Sequence, residues 1–180
     1  METVGMLNHE QKKKMLEEQT LLHIIYLDFE GQQQWGEIMV HQNIAPEVEV
    51  IFKELLQQHF KIEKMKCIEC YGGDDLLSMR DNNSSAFNYR LIEGTQRLSN
   101  HSFGLAIDIN PVQNPYVKGC VVLPENGTFY KERLPVKKGM IVKNDLCYQA
   151  FVSRGWIWGG DFLGRKDYHH FEKYIVGINI

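Results

Sequence analysis

Two short stretches of this chain hold side chains able to bind a metal and move a proton. Ser99 to Asp108 reads S-N-H-S-F-G-L-A-I-D, and Asp167 to Glu172 reads D-Y-H-H-F-E. His101, Asp108 and His170 offer two imidazoles and one carboxylate, the mixed nitrogen and oxygen set with which a catalytic Zn²⁺ keeps a fourth position open. One such ion lowers the pKa of water from near 16 to about 7, which makes hydroxide accessible at neutral pH. A base must still take the proton. Asp167 lies three residues before His170, so an extended or turned segment can set its carboxylate beside that water; a surface aspartate is the plainer alternative. His169 is a rival ligand to its neighbour, and the D-x-x-H spacing favours His170.

Other residues fall into supporting places. Glu172, two residues beyond His170, shares a strand face with it and can orient the imidazole through a hydrogen bond, unless it is a solvent-facing charge. Arg90, in F-N-Y-R, carries a fork of donors suited to a substrate carboxylate or an oxyanion, with a surface ion pair as the alternative. Asp161, in W-G-G-D, competes with Asp167 as a carboxylate but reads as part of a turn that supports the site. Ser99 and Ser102 read as backbone-bonding groups, because no G-x-S-x-G elbow surrounds them.

The elements that must position these residues follow from local pattern. Asn8 to Gln19, with a capping asparagine and good helix formers, predicts a polar N-terminal helix over about 8–20. Leu21 to Phe29 and Gly36 to Val40 predict two strands around G-Q-Q-Q. Pro46 opens a helix to about Phe60 whose Val48, Ile51, Phe52, Leu55 and Leu56 share one face. Gly72 to Asn88, rich in Gly, Asp, Asn and Ser, predicts a long loop. Gly104 to Ile109 predicts a short strand, with a bend at Gly104 bringing His101 toward Asp108. Asn144 to Arg154 predicts a helix capped by Asn144 or Asp145 and stopped by Gly155. Trp156 to Trp158 and His170 to Ile175 predict the closing strands.

Composition narrows the class. The 180 residues are 43% hydrophobic and 24% charged, as in ordinary globular proteins, and the chain reads as a single domain over 1–180. Apolar runs such as Leu21 to Leu27 are too short to span a bilayer. A formal net charge of -3 argues against nucleic acid as a partner. The four cysteines are too few and scattered for a disulfide framework, and Cys67-Ile68-Glu69-Cys70 lacks both the second pair of a zinc ribbon and a thioredoxin-like context. The opening residues carry no secretory signal pattern.

Taken together, A-F-N-Y-R, L-S-N-H-S-F-G-L-A-I-D-I-N-P with N-P-Y after it, R-G-W-I-W-G-G-D-F and D-Y-H-H-F-E resemble the zinc D-alanyl-D-alanine carboxypeptidase and L-alanyl-D-glutamate endopeptidase family of bacterial cell-wall peptidases and phage endolysins. The resemblance runs from about Phe52 to Lys173, with the motifs within 84–173. It implies an α+β fold of the hedgehog/DD-peptidase type: a small antiparallel sheet carrying the zinc site, with helices packed on its other face. It also implies one Zn²⁺ held by His101, Asp108 and His170, Asp167 as general base, and Arg90 touching substrate. The implied substrate is the peptidoglycan stem peptide, which places the enzyme in the cell envelope or outside the cell; the sequence leaves the oligomeric state open, with a monomer favoured. The endopeptidase activity is favoured over the carboxypeptidase. A silent zinc-containing wall-binding domain is the rival from another class, and the presence of Asp167 argues against it.

Overall fold

The computed structural model describes residues 7–178. Asn8 caps the first helix, α1 (His9–Glu17), and forms a capping box with Gln11; Met15 is its only buried side chain. This is the polar surface helix that its composition implies. Alternating burial then builds a long hairpin from β1 (Gln19–Leu27) and β2 (Gln33–His41), paired from Gln19 opposite His41 to Leu27 opposite Gln33. Leu22, Ile24 and Tyr26 on one strand and Ile38 and Val40 on the other face inward. The first strand stops at Leu27 because Asp28 begins the turn: its carboxylate accepts the Gln32 N–H at 2.8 Å. Helix α2 (Ala45–Gln57) has Pro46 in its first turn and buries Val48, Ile51, Phe52 and Leu55, so the apolar face lies where the sequence places it.

The segment 72–88 corrects the expected long loop. It contains α3 (Asp75–Arg80), capped by Asp74 on the Leu77 N–H, and β4 (Asn83–Ser84), which runs parallel to β3 (Lys64–Met65). Six residues are too few to show an apolar period, and the strand is polar yet fully buried. Its polarity is satisfied locally: Asn83 accepts the Lys66 N–H and donates to the Lys66 carbonyl and to Ser78 Oγ. A buried amide that meets all its partners substitutes for the apolar residue that usually marks a strand.

Two three-stranded antiparallel sheets complete the frame. One has the order β5 (Ala106–Asp108), β10 (His170–Glu172), β8 (Ile157–Trp158). The other has the order β7 (Val121–Leu123), β6 (Tyr116–Lys118), β9 (Lys166–Asp167). Helix α4 (Leu146–Val152) is capped by Asp145, and the chain turns away at Gly155, whose φ is +81°. The first sheet is covered on one side by apolar side chains: Phe171 stacks on Phe151 of α4 at 4.1 Å between ring centroids, and Phe151 meets Phe52 of α2 and Trp156 edge-on. Because strand side chains alternate, Phe171 faces this core while His170 and Glu172 face the other way. The architecture is therefore mixed, with helices packed against small antiparallel sheets.

Phe171 is fully buried between two site residues. Phe171→Ala is expected to destabilise the protein by about 3–5 kcal/mol, seen as a lower urea midpoint. Leu163→Ala, at a side chain 93% exposed, should change stability by less than about 0.5 kcal/mol.

Candidate metal centre

His101 sits in a 3-10 turn, Asn100–Phe103, at whose start Ser99 Oγ accepts the His101 N–H at 3.3 Å. The turn ends at Gly104 with φ +65°, and a Cβ there would stand 2.6 Å from the His41 amide nitrogen. Only glycine satisfies both the left-handed backbone and the close approach to the hairpin. The bend leads directly into β5. There Asp108 lies opposite His170 of β10, and Ile107 opposite Phe171. Ser85 continues the pairing on the outer side of Asp108 through reciprocal backbone hydrogen bonds of 3.0 and 2.8 Å.

Each donor group is aimed by a second partner. His101 Nδ1 donates to the Ala86 carbonyl at 2.6 Å, which leaves Nε2 as the ring atom facing the centre. His170 Nε2 is 3.1 Å from Glu172 Oε2, and its Nδ1 faces inward. Glu172 is held in turn by the Asn100 side-chain amide at 2.8 Å and the Tyr174 hydroxyl at 3.2 Å. Inside this frame His101 Nε2 lies 3.2 Å from His170 Nδ1 and 3.1 Å from Asp108 Oδ2, while His170 Nδ1 lies 3.0 Å from Asp108 Oδ1. All three residues are buried, with donor atoms within 4.8 Å of one another. Tetrahedral ligands about 2.0–2.1 Å from one ion stand roughly 3.3 Å apart. The two nitrogens and the carboxylate therefore fit Zn²⁺ in both type and spacing.

The electrostatics describe a buried carboxylate surrounded by imidazoles. Burial alone would raise the Asp108 pKa, but His101, His169 and His170 together hold it well below the usual range. For His170 burial opposes the charged ring, yet hydrogen bonds to Asp108 and Glu172 prevail and push it up to about 10. His169 is likewise disfavoured by burial and pushed up to about 9 by Asp167 and Asp108. A divalent cation replaces those protons as the counter-charge.

Asp167, on β9, faces His169: Asp167 Oδ1 is 2.8 Å from His169 Nε2, and His169 Nδ1 donates to the Asn114 carbonyl at 2.7 Å. Burial raises the Asp167 pKa, and His169 brings it down below its ordinary value. Of the two adjacent histidines, then, His170 joins His101 and Asp108, whereas His169 positions Asp167. The sequence contained that division only as the alternation of neighbouring side chains in an extended segment.

Asp161 is exposed, and its carboxylate is bonded to Lys143 Nζ at 2.9 Å and to the Tyr148 hydroxyl at 3.4 Å. The W-G-G-D turn supports the site through Gly159, where a Cβ would stand 2.4 Å from the Asp167 carbonyl oxygen. Arg90 is anchored to the first motif by its backbone, whose N–H donates to Ser102 Oγ at 2.9 Å while the Ser102 hydroxyl donates back to the Arg90 carbonyl at 2.8 Å. Its guanidinium, however, pairs with Asp75 of α3 at 3.2 Å. Cys67 and Cys70 are free, and burial together with Glu69 pushes the Cys67 thiol up to about 11, which disfavours thiolate chemistry.

Zinc uptake must displace the His170 proton, so calorimetry at pH 7 in buffers of differing ionisation enthalpy is expected to show proton release, with affinity climbing from pH 6 to 9. Glu172→Ala should weaken binding about 10–100-fold. Without metal the raised histidine pKa values stabilise the fold fully below about 6.5, the unfolded value, and this contribution is lost as pH rises through about 9 to 10. Denaturant midpoints of metal-free protein should therefore fall over that window.

No curated protein and no solved structure matches the chain. Residues 93–173, just under half of the 180, match the family model described as D-alanyl-D-alanine carboxypeptidase. The matched stretch includes His101, Asp108, Asp167, His170 and Glu172 and stops short of Arg90. It supports the peptidase family that the motifs resemble.

Proposed function

We propose that the protein is a zinc-dependent peptidase that hydrolyses an amide bond in peptidoglycan stem peptides, acting as an L-alanyl-D-glutamate endopeptidase. The observation that carries this reading is the buried His101, Asp108 and His170 donor group with the Asp167 carboxylate beside it, all within the stretch that matches a peptidase family. A binding domain has no use for a buried carboxylate positioned by a dedicated histidine. The reading takes 1–180 as one peptidase domain of the hedgehog/DD-peptidase type, active as a monomer in the cell envelope or outside the cell. A single buried cluster running from Leu22 to Phe171 supports the one-domain view. Among the described residues no helix is long and apolar enough to cross a membrane.

Zinc, when bound, supplies Lewis-acid activation of water and of the scissile carbonyl. His101, Asp108 and His170 hold it, with Ala86 and Glu172 fixing which ring nitrogen each histidine presents. Asp167 takes the proton of the attacking water and returns it to the leaving amine. His169, hydrogen-bonded through Nδ1 to the Asn114 carbonyl and paired through Nε2 with Asp167 Oδ1 at 2.8 Å, keeps that carboxylate in place. Arg90 contacts a substrate oxygen by exchanging or sharing its Asp75 partner.

The description of the matched family favours a second reading, D-alanyl-D-alanine carboxypeptidase. The two differ in product. Purified peptidoglycan incubated with zinc-loaded protein is expected to yield new D-glutamate amino termini; release of free D-alanine would establish the carboxypeptidase instead. Asp167→Ala should lose about 10²–10⁴-fold in turnover while retaining zinc, and an Asp167→Ala protein of normal activity would sink the role assigned to that residue.

A further inference from the structure

Asn114-Pro115-Tyr116 accompanies the metal motifs in the sequence and has no chemical part in the reaction just described. In the fold it lies along the D-Y-H segment. Tyr116 stands directly opposite Asp167 in the pairing of β6 with β9, the Tyr168 N–H donates to the Pro115 carbonyl at 3.4 Å, and His169 Nδ1 donates to the Asn114 carbonyl. The Asn114 side chain is fully committed, donating to the Ile109, Asn110 and Gly139 carbonyls and accepting from Arg133 and the Ile141 N–H. Tyr116 is different. It is half-buried, and its hydroxyl makes no hydrogen bond among the described residues.

Directly opposed residues of an antiparallel pair project from the same face with Cβ atoms about 4.5–5.5 Å apart. The phenol therefore shares the side occupied by the Asp167 carboxylate. The next pair, Val117 and Lys166, faces the other way, and Lys166 Nζ is spent on the Gly160 and Phe162 carbonyls. Charges acting on the phenol are those of Arg165, Asp167 and Glu93, and Asp167 in turn feels His170 and Asp108. Of the other tyrosines, Tyr174 is bonded to Glu172 and Tyr148 to Asp161, while the Tyr89 hydroxyl is buried without a hydrogen bond among the described residues and precedes Arg90.

We propose that the Tyr116 hydroxyl is a further catalytic group, donating a hydrogen bond to the oxygen of the scissile amide as that oxygen gains negative charge. The assignment rests on the peptidase reading above. No bond is made or broken at Tyr116, and its proton stays on the phenol throughout. Burial raises the phenol pKa above its ordinary value, so the hydroxyl keeps the proton it must offer. A donor that meets charge developing only in the transition state acts on turnover rather than on binding of the ground state.

The test uses zinc-loaded Tyr116→Phe beside wild type, with the stem peptide that wild type cleaves and a phosphinic analogue of that peptide. The variant is expected to lose about 10²–10³-fold in kcat with KM little changed, to bind the phosphinate more weakly by a similar factor in calorimetry, and to keep its zinc content and thermal midpoint. Unchanged kcat, a raised KM at constant kcat, or loss of zinc or of stability would each overturn the assignment. A wild type that cuts no stem peptide would instead remove the peptidase reading and this role with it. A cleaving wild type alongside an equally active Tyr116→Phe fails Tyr116 alone.

Discussion

The site depends on one buried carboxylate. Asp108 is almost fully shielded from water and lies between Ser85 and His170 in the sheet. An ionised carboxyl in such a position is tolerated only where positive charge and hydrogen bonds replace its hydration. Three histidines gather around it for that reason, and each is fastened at its far nitrogen by a group outside the cluster: Ala86, Asn114 and Glu172. Removing Asp108 would leave His101 and His170 crowded together without the carboxylate that both of them face. The turn at Gly104, the pairing of β5 with β10 and the packing of Phe171 all serve to bring that carboxylate and its partners to one place.

Support for the centre reaches into parts of the chain with no metal motif. Arg133, in the stretch between β7 and α4, donates to the Asn114 side chain at 2.8 Å, and the Asn114 carbonyl receives His169, which faces Asp167. The same guanidinium lies 4.3 Å over the Tyr168 ring, and burial lowers its pKa to about 10. A planar, delocalised cation suits this place because it can bond several carbonyls and stack on an aromatic face at once. One residue remote from the motifs thus braces both Asn114, which receives His169, and Tyr168, the neighbour of Asp167.

Much of this was legible before any coordinates. Periodicity located α2 and the hairpin, because burial on one face leaves a repeating apolar signal. Capping chemistry located α1 and α4. The spacing of His101, Asp108 and His170 named the residues that the fold brings together. What escaped notice was written in residues of ambiguous meaning. Asn82 to Ser84 carry the composition of a loop, yet their side chains are buried and bonded. The pairing of Arg90 with Asp75 depends on α3, a helix too short to announce itself. The separate tasks of His169 and His170 depend on which way a strand face turns, and a dipeptide does not record that.

Asp108 and His170 are 62 residues apart in sequence and direct neighbours in the sheet. Between them the chain must build the second sheet and α4, so the last donor arrives only after a long loop has closed. No shorter stretch holds the complete donor set. A partly made or partly unfolded chain therefore presents isolated histidines and carboxylates, which grip metal weakly and organise no chemistry. A metal held by this group would therefore mark completed folding, and any reactivity it conferred would be withheld from every immature form of the protein.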